Sequence, residues 1–466
     1  MRSLLILLLV FFHVENASSQ MLWGMTPGGG ANNKGTIFSM NVDGSGFTVW
    51  HHFTDESGWG PEGGLCLAPN GMIYGATTLG GEAEPAAGTL FKIDPATGSF
   101  TKLMDFNISN GGYSWGSLIV GGDGLLYGAS YGGGAGGGSI YRLDPADDTY
   151  EILYGLNQNT DGGAMNSRLL ELSDGVLYGT ASQGGANSQA GTVFKYDVST
   201  DVFTKIHDFD GTDNGNTPYG GLTLAENGWL YGTTFEGGLQ NKGIVYRIHP
   251  FTHEFEKIKD MADLDLSNCW SSFERAGTDR LLATVPNGGL NGGGAIIQLT
   301  PSTNEVIAVS HFAILVGSTP FSGLTADDND QLFGITSFGG ALSGGNIFKF
   351  DPVTMVRTTL HDLDPASDGA MARGELVLHP GAVGISETDD LNISIWPQPS
   401  DGQFSIAIPH YCIPAKATIH DAMGKVIEEV VLTADRTELH LDHGAGFYVL
   451  SIRSKDRMAS RILVVQ

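Results

Sequence analysis

Between residues 21 and 380 the apolar positions fall in short runs, rich in Val, Ile, Leu, Phe and Tyr and bounded by Gly, Pro, Asp and Asn. Such runs read as β-strands, and almost nothing carries the 3.6-residue spacing of a helix. One run recurs as LWGMTPGGG, IYGATTLGG, LYGASYGGG, LYGTASQGG, LYGTTFEGG, LLATVPNGG and LFGITSFGG. Its third position is Gly24, Gly75, Gly128, Gly179, Gly232, Ala283 and Gly334, a period of 51 or 53 residues. Each copy continues with a Gly-bounded strand (GTLFKID), an Asp-Pro turn (DPATGS) and a further strand (FTKLMDF). After a variable loop comes a strand such as GGLCLAPNG, whose Asn-Gly or Asp-Gly pair makes a tight hairpin into the next copy.

Four strands per unit at this period signal the blades of a propeller. A lone four-stranded sheet cannot cover both faces, whereas sheets set side by side in a ring cover one another. The expected fold is therefore all-β, a seven-bladed β-propeller over residues 20–380. The first copy lacks the strand that should precede it, and GELVLHP (374–380) has no LYG strand after it. Residues 374–380 are expected to pair beside residues 22–26 and close the ring. Small residues near the axis let the sheets converge there. The sixth copy departs most, with LLATVPNGG in place of the aromatic-Gly pair and FERAGTDR in place of the usual inner strand.

The pattern stops at both ends. Residues 1–19 carry Arg2, the apolar run LLILLLVFF and the small residues Ala17-Ser18-Ser19, the order of a signal peptide cleaved before Gln20. Residues 381–390 read as a linker. Residues 391–466 hold short alternating strands with turn signals, the pattern of a small Ig-like β-sandwich. No later run approaches the length of a transmembrane helix.

Charge narrows the partners. The net charge is -27, and residues 20–390 hold 16 Lys/Arg against 42 Asp/Glu. That region repels phosphate backbones, which argues against nucleic acid. Cys66, Cys269 and Cys412 have no paired spacing and read as small apolar residues, not as a disulfide frame or metal knuckle.

The order of GG, aromatic strand and Asp-Pro turn is similar to kelch repeats. The LYGTTxxGG…GTVFK phrase more closely resembles the Gloeobacter–Verrucomicrobia tandem repeat, which implies a propeller on an exported protein and no particular reaction. The C-terminal segment resembles the type A sorting domain of type IX secretion substrates. Trp396-Pro397-Gln398-Pro399 stands where that family has Tyr-Pro-Asn-Pro, and Gly424-Lys425 match its Gly-Lys turn with Asp421 upstream. Gly446 and Tyr448 match its Gly-x-Tyr, and Arg461 its terminal basic residue. The resemblance implies handling by the type IX machinery through 391–466 and delivery to the outside or outer surface of a Gram-negative cell.

Candidate chemistry is sparse. His51, His207 and His361 share one repeat position on the outermost strand, and His311 lies one residue off it, so they belong to the framework. His249 and His253 flank one turn and are expected to be solvated. Asp94, Asp144, Asp197 and Asp351 end third strands and read as turn residues. The loop from Asp210 to Asn216 lacks the alternation of a calcium loop. There is no phosphate loop, no G-x-S-x-G and no H-E-x-x-H, and no copper set of the kelch-like oxidases can be assembled. No metal, cofactor or catalytic set is expected.

One constellation stands out. The residue three before the leading apolar residue of each inner strand is Glu62, Trp115, Asn166, Tyr219, Trp270, Phe321 or Arg373. These are expected at the channel mouth, with Asp55, Glu56, Asp161, Asp213, Asp263, Asp265 and Asp368 in the preceding loops. Rings with acceptors suit a glycan or a cationic peptide, although rings here also suit packing between blades. The leading expectation is a monomeric surface propeller that binds carbohydrate or protein. Two alternatives are a polysaccharide lyase or glycosidase using mouth acids, and a structural or adhesion component. Carboxylates unique to one blade favour the enzyme, and evenly repeated polar positions favour the others.

Overall fold

The computed structural model describes residues 20–379 apart from 174, 187, 188 and 328, together with 394–396, 403–408, 413–421, 426–441, 446–454 and 457–465. The signal segment, the linker 381–390, Pro397, Pro399, Gly424 and Lys425 lie outside the described residues. The chain divides into two compact units that meet in sequence at His379 and Pro380.

In the first unit the described residues form seven four-stranded antiparallel sheets. The second is typical: Cys66–Leu67, Ile73–Ala76, Thr89–Ile93 and Phe100–Asp105, each strand paired with the next. The first sheet draws on both ends of the unit. Val377–His379 pairs with Met21–Thr26, with Leu378 opposite Leu22 and Val377 opposite Trp23. Residues 377–379 of the expected closing segment are thus in place.

Seven apolar clusters join each sheet to the next. One combines Leu22, Phe38 and Met40 of the first sheet with Phe333, Ile335 and Ile347 of the seventh, so the series closes on itself. This is a β-propeller, and its core lies between sheets, as the logic of covered faces requires.

The repeated glycine has a specific cause. Gly75 sits opposite Phe91, and a Cβ on Gly75 would lie 2.6 Å from the ring and 2.9 Å from Leu65 Cδ2. Gly24 under Phe38 and Gly334 under Phe348 repeat the arrangement. In the sixth sheet Ala283 faces Ile297. Where the ring is gone, the methyl group has room, which explains the departure of that copy. FERAGTDR nonetheless supplies an inner strand, Glu274–Arg275, in the usual place.

Nearer the axis, glycine serves close approach of backbones. A Cβ on Gly63 would meet Gly116 O at 2.8 Å, and one on Gly220 would meet Ser271 O at 2.6 Å. Neighbouring inner strands touch there, main chain against main chain.

Outermost strands are fastened by ring stacking between sheets. His51 stacks on Phe100 at 3.9 Å, His207 on Phe255 at 4.0 Å, and His361 on Phe47 at 3.9 Å. Tyr154 on Phe203 fills the same position at 4.7 Å.

In the second unit, Ser394–Trp396, Gln403–Ala407 and Arg436–His440 form one sheet. Val426–Leu432, Ala415–Asp421, Gly446–Ser454 and Arg457–Val465 form the other. Phe404, Ile406, Ile419, Leu432, Leu450 and Ile452 make a common apolar core, the organisation of a β-sandwich.

Candidate functional site at the channel mouth

The loop before each inner strand delivers one side chain to the axis. Glu62, Trp115, Asn166, Tyr219, Trp270, Phe321 and Arg373 all line one pocket, with Gly63, Ser117, Arg168, Gly323 and Glu375 among its further walls. Seven positions separated by the whole repeat array are therefore brought together. The cavity they leave is about 40 Å³.

Trp270 is the hub. It stacks on Tyr219 at 4.2 Å and on Trp115, three sheets away round the ring, at 6.2 Å. Phe321 meets it edge-on at 5.5 Å. Phe235 and Tyr131, from the GG loops, extend the cluster at 5.7 Å from Trp270 and 6.0 Å from Trp115. Trp115, Tyr219, Trp270 and Phe321 are each only partly buried, so the cluster keeps an accessible face.

Arg373 lies over this cluster, its Cζ 5.3 Å from the Phe321 centroid and 5.8 Å from that of Trp270. Its Nη1 is 3.1 Å from Glu62 Oε2. Burial raises the Glu62 carboxyl above its usual range, and Arg373 opposes that shift.

A second layer of charge was not foreseen. Arg168 Nη1 lies 2.9 Å from Glu375 Oε2, and Nη2 lies 3.4 Å from Glu274 Oε2. These groups come from the fourth, first and sixth sheets, so the network spans the axis. Burial pushes Glu274 up to about 7, with Arg168 opposing and Glu375 reinforcing. The sequence held a signal for this layer. At the position of Arg168 and Glu375, the other copies have Gly64, Ser117, Gly221, Ser272 and Gly323. Two large charged residues where small ones recur mark a departure from the repeat.

The loop carboxylates do not join the pocket. Asp55 pairs with Lys34, Asp213 with Lys257 at 3.6 Å and Asp263 with Lys259 at 3.1 Å. Asp161 Oδ2 accepts the Asn157 N–H at 2.9 Å, and Asp368 Oδ2 meets His361 Nε2 at 2.9 Å. Asp265 ends a short 3-10 turn in the left-handed region.

Elsewhere, Asp94, Asp144, Asp197 and Asp351 each accept the N–H two residues on, at 2.8 to 2.9 Å, and Asp210 accepts those of Thr212 and Asn214. His249 and His253 are not solvated as expected. Both are half-buried: His249 meets the Trp229 ring edge-on and caps its turn, and His253 Nε2 is buried. Cys66 and Cys269 are buried free thiols, and burial pushes them up to about 12 and about 11. Among the described residues no group of three His, Cys, Asp or Glu is placed to hold a metal, and no helix is long and apolar enough to cross a membrane.

Of the residues read as a sorting signature, Trp396 ends a strand, and Gly446 and Tyr448 lie on the strand that pairs with the one holding Arg461. Tyr448 is buried in the sandwich core.

These features define the class, a β-propeller followed by a β-sandwich tail. The chain belongs to the Gloeobacter/Verrucomicrobia repeat family, whose model matches residues 11–189, 119–277 and 166–388. Residues 394–466 match the secretion system C-terminal sorting domain. The tail marks an exported protein of a Bacteroidetes-type bacterium, secreted or held at the cell surface.

Among solved structures, a 6-phosphogluconolactonase candidate from Bacteroides uniformis is similar over 77% of this chain and 99% of its own, at 15% identity and a TM-score of 0.52. That likeness supports the fold alone. TolB from Acinetobacter baumannii matches 63% of this chain and 63% of its own (13% identity, TM-score 0.37). PorZ, an essential surface component of the type IX secretion system of Porphyromonas gingivalis, matches 92% of this chain and 63% of its own (12% identity, TM-score 0.33). The chain thus spans less than two thirds of the length of TolB and PorZ. No curated protein matches the sequence.

Proposed function

We propose that this exported propeller is a surface binding protein, and that the channel mouth is where it takes hold of a carbohydrate or protein chain. The observation that carries the reading is the convergence of four partly exposed rings from four sheets into one pocket, with Glu62, Asn166 and Arg373 between them. Aromatic faces stack on the C–H faces of sugars or on apolar side chains, and the polar groups set orientation. Exposed rings at the end of a rigid scaffold lose little entropy on binding. The test is Trp115→Ala, Tyr219→Ala and Trp270→Ala, singly, against glycan and peptide arrays. A variant that folds as the parent does and loses a ligand the parent binds supports the reading. Lost stability with no array ligand for the parent overturns it in favour of packing alone.

A second reading has its own observation. Glu62, Glu274 and Glu375 each occur in a single sheet, the pattern expected of a polysaccharide-active enzyme. Arginine partners already engage all three. Product release from polysaccharides that disappears in Glu274→Gln would favour that reading over binding alone.

A further inference from the structure

We propose that the mouth selects a positively charged group, an alkylammonium or guanidinium, on the chain it binds; this rests on the reading of the mouth as a binding site. The first support is a pair of buried acceptors that accept no hydrogen bond. Asn166 is 7% exposed, and its Nδ2 donates to Ser182 Oγ at 2.8 Å. Ser182 in turn donates to Ala164 O at 2.8 Å, which fixes the direction of the amide. Asn166 Oδ1 is then buried with no donor. Glu62 Oε2 is ion-paired with Arg373 Nη1 at 3.1 Å but lacks the geometry of a hydrogen bond, and it too accepts none. Two buried acceptors on one pocket call for an incoming donor.

Three further observations favour a charged donor over a hydroxyl. Glu62 and Glu375 balance Arg168 and Arg373 in the pocket wall, and Glu274, ion-paired to Arg168 from outside that wall, adds a third carboxylate. The rings already carry a cation, since the Arg373 guanidinium rests over Phe321 and Trp270, the contact by which an aromatic face holds positive charge. The cavity of about 40 Å³ has room for an ammonium-sized head group. Both arginines are ion-paired with carboxylates, Arg373 with Glu62 and Arg168 with Glu375. Two sources share this chemistry: a Lys or Arg side chain of a protein, and an unacetylated amino sugar.

The experiment is calorimetric titration of the full chain with four probes: glucosamine trimer, its N-acetylated form, trilysine and triarginine. At least one charged probe is expected to bind tenfold or more tightly than the acetylated trimer. Glu62→Gln is expected to remove at least fivefold of that preference, and Asn166→Ala serves in its place should Glu62→Gln not fold. Asp213→Asn, at an exposed rim carboxylate, is expected to stay within twofold. The charged probe that binds identifies the source. An acetylated trimer that binds as well as the charged probes, and loses affinity in Trp270→Ala, overturns the selectivity and leaves the binding mouth standing. Binding by no probe, or binding indifferent to Trp270→Ala, overturns both.

Discussion

Acidification tests how the outer strands are fastened. His51 and His207 each stack face to face on a phenylalanine of the next sheet, and burial brings both down to about 4 from an ordinary 6.5. In the unfolded chain both return to the ordinary value. Between pH 6.5 and 4 the unfolded state therefore binds more protons than the fold. Stability is full above that window and is lost as pH falls through it. At pH 5 each ring alone would account for about 2 kcal/mol, and part exposure to water lowers this to about 1–2 kcal/mol. Together they are expected to cost about 2–4 kcal/mol between pH 7.5 and pH 5.

Other groups titrate in the same window. Glu274, raised by burial, acts in the opposite sense: the fold binds its proton more tightly, so its contribution improves as pH falls from 7 towards 4.5. A comparison between variants cancels it. His51→Phe with His207→Phe keeps both stacks and removes both titrations. It loses the His51–Ser57 contact of 3.3 Å and removes the unpartnered His207 Nε2, changes of similar size and opposite sign at neutral pH. Urea unfolding of the full chain at pH 7.5, 6 and 5, followed by Trp fluorescence, gives the readout. The parent is expected to lose about 2–4 kcal/mol more than the double variant. Equal losses in the two proteins would show that these rings titrate normally and that their burial does not govern acid stability.

Gly75→Ala places a methyl group against Phe91 and Leu65 and is expected to cost about 1–3 kcal/mol, part of which Phe91→Ile restores in a double-mutant cycle. Leu376→Ala empties a buried position of the cluster that closes the ring, and thermal or urea unfolding is expected to show a loss of about 2–4 kcal/mol. Arg168→Ala strands Glu274 and Glu375, with an expected loss of about 2–4 kcal/mol near neutral pH that shrinks on acidification as Glu274 protonates. Deleting 391–466 is expected to leave the protein in the periplasm, and cell fractionation checks it; unchanged secretion would refute a sorting role for the tail.

The fold was legible because the repeat writes the same local problem many times. Most copies set a ring over a glycine, an Asp at a turn and a hairpin back to the axis, so Gly75, Asp94 and the Asn70-Gly71 pair each announce their place. The missing first strand and the surplus Val377–His379 fit together for the same reason. His249 and His253 are less solvated than expected because turn composition does not reveal a neighbour such as Trp229, which lies against His249. The mouth residues were legible as a list, since one offset from each inner strand finds all of them. Their mutual arrangement was not. Trp270 reaches across the ring to Trp115, and no spacing along the chain encodes a contact between the sixth and third sheets.

The charged layer beneath carries the same lesson in reverse. Arg168, Glu274 and Glu375 break the repeat, and each break looks like drift when taken alone. Only the ring shows that the guanidinium meets both carboxylates. An arginine in place of a small residue near a crowded axis loses hydration and gains no packing, so by itself it is costly. A glutamate there is costly for the same reason. Set opposite one another they offset that cost, although an apolar pair of equal volume would serve stability as well. Stability alone therefore does not account for the network. Arg168 and Glu375 line the same pocket as Trp270 and Arg373, so the network borders the mouth.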